Sequence, residues 1–296
     1  MKKKILFRGT GTAIVTPFSD DKIDYPALFS IIDRQIAEHI DALIVGGTTG
    51  EAATLSDRER YELYTRAIDY IAGRCKVLLG TGTNDTRKAC EHTRVSSSLG
   101  ADGVLVVTPY YNKGTEDGLI RHYLGIAEAS CVPVLLYNVP SRTGVNLSLR
   151  VLRELSLCEN IVGIKEASDS ADRLLALSSF GDSLALYAGN DSQIYTVLAL
   201  GGLGVISVAS NLFPREVGEI CNLYFEGRHR ESYQRQVALF PLVRALFAET
   251  NPTPVKYAMS RLGFCKDDVR LPLAPATEKT RNAVDAALSD DRQGEP

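Results

Sequence analysis

Eight short apolar runs, at residues 12–16, 42–46, 76–80, 103–108, 132–137, 161–165, 184–188 and 204–208, constrain the fold more than any other feature of this chain. They are apolar nearly throughout instead of alternating with polar residues, as expected for parallel strands covered on both faces. Parallel neighbours need crossover connections, and stretches with helical periodicity lie between the runs, for example residues 25–40, 57–72 and 87–99. Eight β–α repeats within roughly 215 residues match an α/β fold of the closed (β/α)8 kind, the TIM barrel. A doubly wound open sheet is the competing arrangement. Even spacing and the lack of a dinucleotide fingerprint disfavour it. From about residue 214 the pattern is helical only: residues 219–225, 231–247 and 254–262 carry apolar residues at helical spacing, and Asn-Pro-Thr-Pro at 251–254 reads as a break and a helix start. The expected organisation is a barrel over residues 1–225 and a C-terminal helical region over residues 226–296.

Composition removes several classes of function. The chain is 45% hydrophobic and 23% charged, ordinary for a globular protein with a sizeable core. A net charge of −3 and a pI near 5.9 offer no attraction to nucleic acid or to an acidic membrane. No apolar run approaches the ~20 residues of a membrane helix. The start, Met-Lys-Lys-Lys, resembles the basic end of a signal peptide, but Arg8 and Gly9 interrupt the apolar part at once, so a cytoplasmic chain is expected. Six cysteines (75, 90, 131, 158, 221, 265) are scattered singly with no C-x-x-C, which predicts reduced, mostly buried thiols and neither disulfides nor structural zinc. The four histidines (39, 92, 122, 229) are equally dispersed; none is assigned a role, and no metal site is expected.

Active sites of such barrels gather at the carboxyl ends of the strands. In order, those ends read Thr-Pro at 16–17, Gly-Gly-Thr-Thr-Gly-Glu at 46–51, Gly-Thr-Gly-Thr-Asn at 80–84, Thr-Pro-Tyr-Tyr-Asn at 108–112, Tyr-Asn-Val-Pro-Ser-Arg at 137–142, Lys-Glu at 165–166, Gly-Asn-Asp at 189–191 and Ser-Val-Ala-Ser-Asn at 207–211. Lys165 is the most telling. Burying a lysine is costly unless its ammonium is paired or it is kept neutral as a nucleophile. If Gly163 and Lys165 face the barrel interior, alternation turns Ile164 and Glu166 outward, and Glu166 is then poorly placed to neutralise the lysine. A salt bridge to another barrel carboxylate is the alternative. Tyr137, ending the preceding run, tips the balance, because a phenol there can move the protons that amine chemistry needs. The glycine-rich turn at 46–50 offers amides and hydroxyls to a carboxylate or phosphate; it lacks the Lys-Ser/Thr of a Walker loop, and a simple tight turn explains it as well. Tyr110 and Tyr111 can pack or act. Arg142 is either a bidentate carboxylate clamp or a surface arginine.

Four segments taken together, Gly-Gly-Thr-Thr-Gly-Glu at 46–51, Tyr-Tyr-Asn at 110–112, Tyr-Asn-Val-Pro-Ser-Arg-Thr-Gly at 137–144 and Gly-Ile-Lys-Glu-Ala at 163–167, resemble the signatures of the pyruvate-dependent Schiff-base aldolases and lyases. The resemblance runs from about Gly9 to the C-terminal helices. Ser-Arg-Thr-Gly after the tyrosine is similar to the branch that condenses pyruvate with L-aspartate 4-semialdehyde to 4-hydroxy-tetrahydrodipicolinate, in lysine and diaminopimelate biosynthesis. Sialic acid lyases and 2-keto-3-deoxy sugar-acid aldolases share the lysine, the tyrosine and a similar turn.

The resemblance implies that Lys165 forms the Schiff base and that Tyr137, Thr48 and Tyr111 relay protons, Tyr111 in a partner subunit's site. It implies Thr49 for the pyruvate carboxylate, Arg142 for the aldehyde's carboxylate, and Gly189 and the main chain of Ile206 along the pocket. It implies no metal or organic cofactor, and a homotetramer of two tight dimers. Lysine-inhibited members of the family bind lysine at the dimer interface. Asn84 and Tyr110 match two positions of that site, whereas Lys88 stands where a glutamate is expected, and Asp57 and Arg60 replace histidines. A remnant effector site closed to lysine by like charge is therefore expected. A non-catalytic barrel that binds a keto acid remains the alternative of a different class; the intact set of Lys165, Tyr137 and Thr48 argues against it.

Overall fold

The computed structural model describes residues 3–291. Eight strands form the barrel: β1 (Gly9–Ala13), β2 (Ala42–Val45), β3 (Lys76–Gly80), β4 (Gly103–Val107), β5 (Val134–Asn138), β6 (Ile161–Glu166), β7 (Ala185–Ala188) and β8 (Gly204–Ser207). All neighbours are parallel, and β1 closes the ring by pairing with both β8 and β2. A helix follows each strand: Tyr25–Ala37, Asp57–Ile71, Thr86–Ser97, Glu116–Ala129, Leu149–Ser156, Ala171–Ser178, Ile194–Ala199 and Pro214–Phe225. Most start on a polar side chain that accepts a first-turn amide, among them Asp24, Thr115, Ser148 and Ser170, and Ser56 with Glu59 completes a capping box.

Two apolar layers follow from the alternation. Leu43, Val45, Val104, Leu136 and Ile164 face the helices. Ile44, Leu78, Leu105, Leu135 and Tyr187 fill the barrel interior with Leu6 and Phe7. The last two come from the segment before β1 and close the amino-terminal end. There the Tyr187 hydroxyl donates to the Phe7 carbonyl at 2.6 Å.

The first strand lies earlier than the 12–16 run suggests. A β-carbon on Gly204 would sit 1.8 Å from the Gly9 carbonyl oxygen, so β1 and β8 meet where only glycine fits. Glycine carries little strand propensity, which is why the apolar pattern points too far along the chain. The helix at Pro214–Phe225 also begins before its expected 219, on a proline in the first turn. A short antiparallel ribbon, Phe18–Ser19 with Lys22–Ile23, adds to the expected elements, as does the helix Glu278–Asp291.

One irregularity matters for the site. Val134 pairs with Ile161 but Leu135 with Gly163, so β6 carries an extra residue there. Beyond this bulge Ile164 enters the outer layer and Lys165 faces the cavity at the barrel mouth. A one-residue slip would turn the lysine outward.

Beyond the barrel, the helices His229–Leu246 and Thr253–Arg261 pack against its carboxyl end, and Glu278–Asp291 packs on those two helices. Among the described residues no helix is long and apolar enough to cross a membrane. All six cysteines are free, but only Cys221 is fully buried and Cys131 is exposed. The thiols are thus less buried than expected, because most sit at the margin of the outer layer.

Candidate active site

Tyr137 and Lys165 are register partners across β5 and β6. Lys165 is 5% exposed, and its Nζ lies 4.4 Å from the centroid of the Tyr137 ring. Among the described residues it forms no ion pair. Glu166 is buried on the other side of the strand, where Arg173 Nε donates to it at 2.8 Å. Asn138 Nδ2 donates to both carboxylate oxygens of Glu166, at 2.8 and 3.0 Å. The residues following Tyr137 and Lys165 are thus bonded to each other behind the strands, which fixes the phase of the two in front.

The turn after β2 brings Thr48 and Thr49 to the same rim. Gly46 has φ +67°, and a β-carbon there would meet the Tyr64 hydroxyl at 2.1 Å. That hydroxyl donates to the Gly80 carbonyl at 2.5 Å and ties the turn to β3. Thr16 Oγ1 donates to the Gly50 carbonyl at 2.7 Å. Glu51, with φ +53°, reaches the C-terminal helices: it bonds Lys256 Nζ and accepts the Arg270 amide at 3.0 Å. Asn251 Nδ2 donates to Thr49 Oγ1 at 3.0 Å, and Arg142 Nη2 donates to the Asn251 carbonyl at 3.0 Å.

A cavity of about 330 Å³ joins Lys165, Tyr137, Thr48, Thr49, Arg142 and Gly189. Six of the expected residues therefore share one space. Phe240, Arg244 and Phe247, on and just after the helix His229–Leu246, overhang it. Ile206 is fully buried in the interior layer. Tyr111 does not line the cavity; it is 88% exposed, with φ +73°.

The sequence profile of the Dihydrodipicolinate synthetase family matches residues 6–291. The chain belongs to this family. It is 46% identical over 280 residues to the 4-hydroxy-tetrahydrodipicolinate synthase of Alkaliphilus oremlandii (strain OhILAs), an alignment covering 94% of this chain and 97% of the relative. Among solved structures it resembles the 4-hydroxy-tetrahydrodipicolinate synthase of Methylacidiphilum fumariolicum SolV, with a TM-score of 0.95 and 41% identity over 98% of this chain and 97% of that one. It likewise resembles the dihydrodipicolinate synthase of Thermotoga maritima, with a TM-score of 0.94 and 41% identity over 97% of this chain and 99% of that one.

On the far side of the glycine turn, this member of the family has a second cavity of about 430 Å³, which also touches Thr48, Tyr137 and Arg142. Lys88 and Tyr110 line it, together with Asp57 and Arg60. Asn84 is not in its lining; the Asn84 carbonyl instead accepts from Asn112 Nδ2 at 2.9 Å. His92 also faces this cavity, and its Nε2 lies 3.1 Å from Asp57 Oδ1. Burial, and then the neighbouring Arg60 cation, hold the His92 pKa below its ordinary value.

Sequence reasoning missed three groups at these sites. His92 was one of four dispersed histidines with nothing to single it out. Asp191 was passed over beside Gly189, although a carboxylate two residues beyond a strand end is a readable signal. It is fully buried, its Oδ2 accepts the amides of Val208 and Ala209 at 3.0 and 3.1 Å, and burial raises its pKa. Asn251 was read only as part of a helix break. Among the described residues no group of three or more His, Cys, Asp or Glu side chains is arranged to hold a metal ion.

Proposed function

We propose that the chain condenses pyruvate with L-aspartate 4-semialdehyde through a Schiff base on Lys165, yielding 4-hydroxy-tetrahydrodipicolinate for lysine and diaminopimelate biosynthesis. One observation carries this reading: a buried lysine without an ion-pair partner among the described residues faces a tyrosine at 4.4 Å across adjacent strand ends, inside a cavity. The amine adds to the ketone carbon of pyruvate and water leaves, giving an iminium ion. Loss of a methyl proton makes the enamine, which attacks the aldehyde carbon and forms the new carbon–carbon bond. The amino group of the adduct then attacks the iminium carbon, closing the ring and releasing Lys165. Each step moves a proton, and we assign that task to Tyr137, a reading supported by the Thr48 hydroxyl in the same cavity.

Thr49 takes the pyruvate carboxylate, with Gly189 and the Ile206 main chain beside it, and Arg142 takes the carboxylate of the aldehyde. Tyr111 completes the relay in a neighbouring subunit, a role that its exposure at the rim supports. We infer a homotetramer of two tight dimers, working in the cytoplasm without a metal or organic cofactor. The barrel, described from residue 3 to 225, carries the chemistry, and the described part of the C-terminal region, residues 226–291, walls it. The second cavity is a remnant effector site, and Lys88 and Arg60, which both line it, favour a reading in which L-lysine is repelled.

Pyruvate with borohydride tests the core of this proposal. The expected result is irreversible inactivation, with a reduced pyruvyl mass on Lys165. A label on any other residue overturns the mechanism. A coupled assay sets the substrate: turnover is expected with aspartate semialdehyde, and turnover with N-acetylmannosamine instead would move the chain to another branch.

A further inference from the structure

Asn251 is supplied from beyond the barrel, just before the helix Thr253–Arg261, yet it lines both cavities. It is 5% exposed. Its side-chain nitrogen and its main-chain carbonyl serve different arms of the site, while its side-chain oxygen is buried without a hydrogen-bond partner among the described residues. The side-chain amide donates to Thr49 Oγ1 at 3.0 Å, while the main-chain carbonyl accepts from Arg142 Nη2 at 3.0 Å.

A threonine hydroxyl has one proton and two lone pairs. An amide N–H directed at one lone pair prevents the hydroxyl proton from pointing along that line. The proton is left for another acceptor, and Thr49 faces the cavity. An ionised carboxylate only accepts. A hydroxyl that gave its proton to the protein would therefore offer such a ligand nothing but lone-pair repulsion. We propose that Asn251 is a positioning residue that sets the polarity of the Thr49 hydroxyl, making it a dedicated donor to the substrate carboxylate. The proposal rests on the assignment of Thr49 to pyruvate. It also makes the two arms separable: changing the side chain alters the pyruvate arm, whereas the carbonyl that holds Arg142 belongs to the backbone and survives.

Asn251→Asp keeps the shape but can only accept, so Thr49 must turn its proton toward the aspartate, and a negative charge arrives beside the carboxylate. The pyruvate concentration for half-maximal borohydride trapping, and the pyruvate KM, should rise about a hundredfold. Asn251→Ala should raise both about tenfold, since the hydroxyl loses its orientation but meets no repulsion. The aldehyde KM should stay within about twofold in each case. These constants do not depend on the fraction of protein that is folded, so reduced stability leaves them readable. In a Thr49→Val background, Asn251→Ala should add almost nothing, because the hydroxyl it orients is gone. No trapping in the parent protein would overturn the Schiff-base reading and this one with it. Trapping in the parent together with an Asn251→Asp variant that binds pyruvate as well as the parent would overturn this one alone. So would an equal rise in both KM values, the signature of a merely structural residue.

Discussion

Lys165 and Lys256 are both buried beneath the same rim, each with its ammonium nitrogen over an aromatic ring, and they differ in their carboxylate partners. Lys256 is fully buried. Its ammonium is bonded to Glu51 and donates to the Asp268 carbonyl at 2.8 Å. Burial pulls its pKa down, and Glu51 opposes that shift. Lys165 has a tyrosine ring at 4.4 Å and, among the described residues, no ion pair. The same cost of burial is thus met in two ways. One lysine is neutralised by a carboxylate of the glycine turn and locks that turn to the C-terminal helices. The other is left free to react. Burial alone does not identify a catalytic lysine; the lack of a direct salt bridge does, with the buried Asp191 of the same cavity acting on Lys165 only through space.

Removing each lysine should separate the two roles. Lys165→Ala deletes the nucleophile and should lower turnover by at least about 10⁴-fold. It should leave the melting temperature unchanged or raised, since no partner is stranded. Retention of more than a few per cent of activity would break the comparison. Tyr137→Phe keeps the ring beside Lys165 and removes only the hydroxyl, so steady-state kinetics should show a loss of about 10²–10⁴-fold with folding intact. A variant within a few-fold of the parent would make Tyr137 a packing residue.

Lys256→Met should do the opposite of Lys165→Ala. It strands the Glu51 carboxylate, and losing one partner of a buried pair costs about 3–5 kcal/mol. Denaturant titration measures this, and a loss under about 1 kcal/mol would show that the pair behaves like a surface one. Arg142 extends the contrast to an exposed cation at the mouth. Arg142→Ala should weaken use of the aldehyde by about 10- to 100-fold and change the pyruvate KM only a few-fold. An effect confined to pyruvate would reassign that carboxylate. Lys88 supplies the smallest effect, a cation facing the second cavity from its wall. L-lysine titrated at saturating pyruvate should leave the rate unchanged, and substantial inhibition at submillimolar lysine would show that the like charge does not exclude it.

Much of this was legible in the residue pattern, for a local reason. Strand and helix periods place side chains on a face within a few residues. The runs ending at Tyr137 and Lys165 therefore placed both residues at the carboxyl rim, and alternation tied an inward Lys165 to an outward Glu166 before any packing was known. The motif at 46–51 likewise marked the turn that carries Thr48 and Thr49. Polar contacts between distant segments have no period. Asn251 bonds Thr49 across 202 positions, and Lys256 bonds Glu51 across 205. Nothing local distinguishes Asn251 from a helix-breaking asparagine, or Lys256 from a solvated lysine on an amphipathic helix. The strand phase was also settled by pairing: the glycines of β1 and β8 and the bulge in β6 take their places because the barrel must close and neighbouring backbones must fit. The sequence by itself determined which strands exist and which side chains face the rim. Tertiary structure alone decided which of two buried lysines is neutralised, because that depends on which carboxylate the closed chain brings within reach.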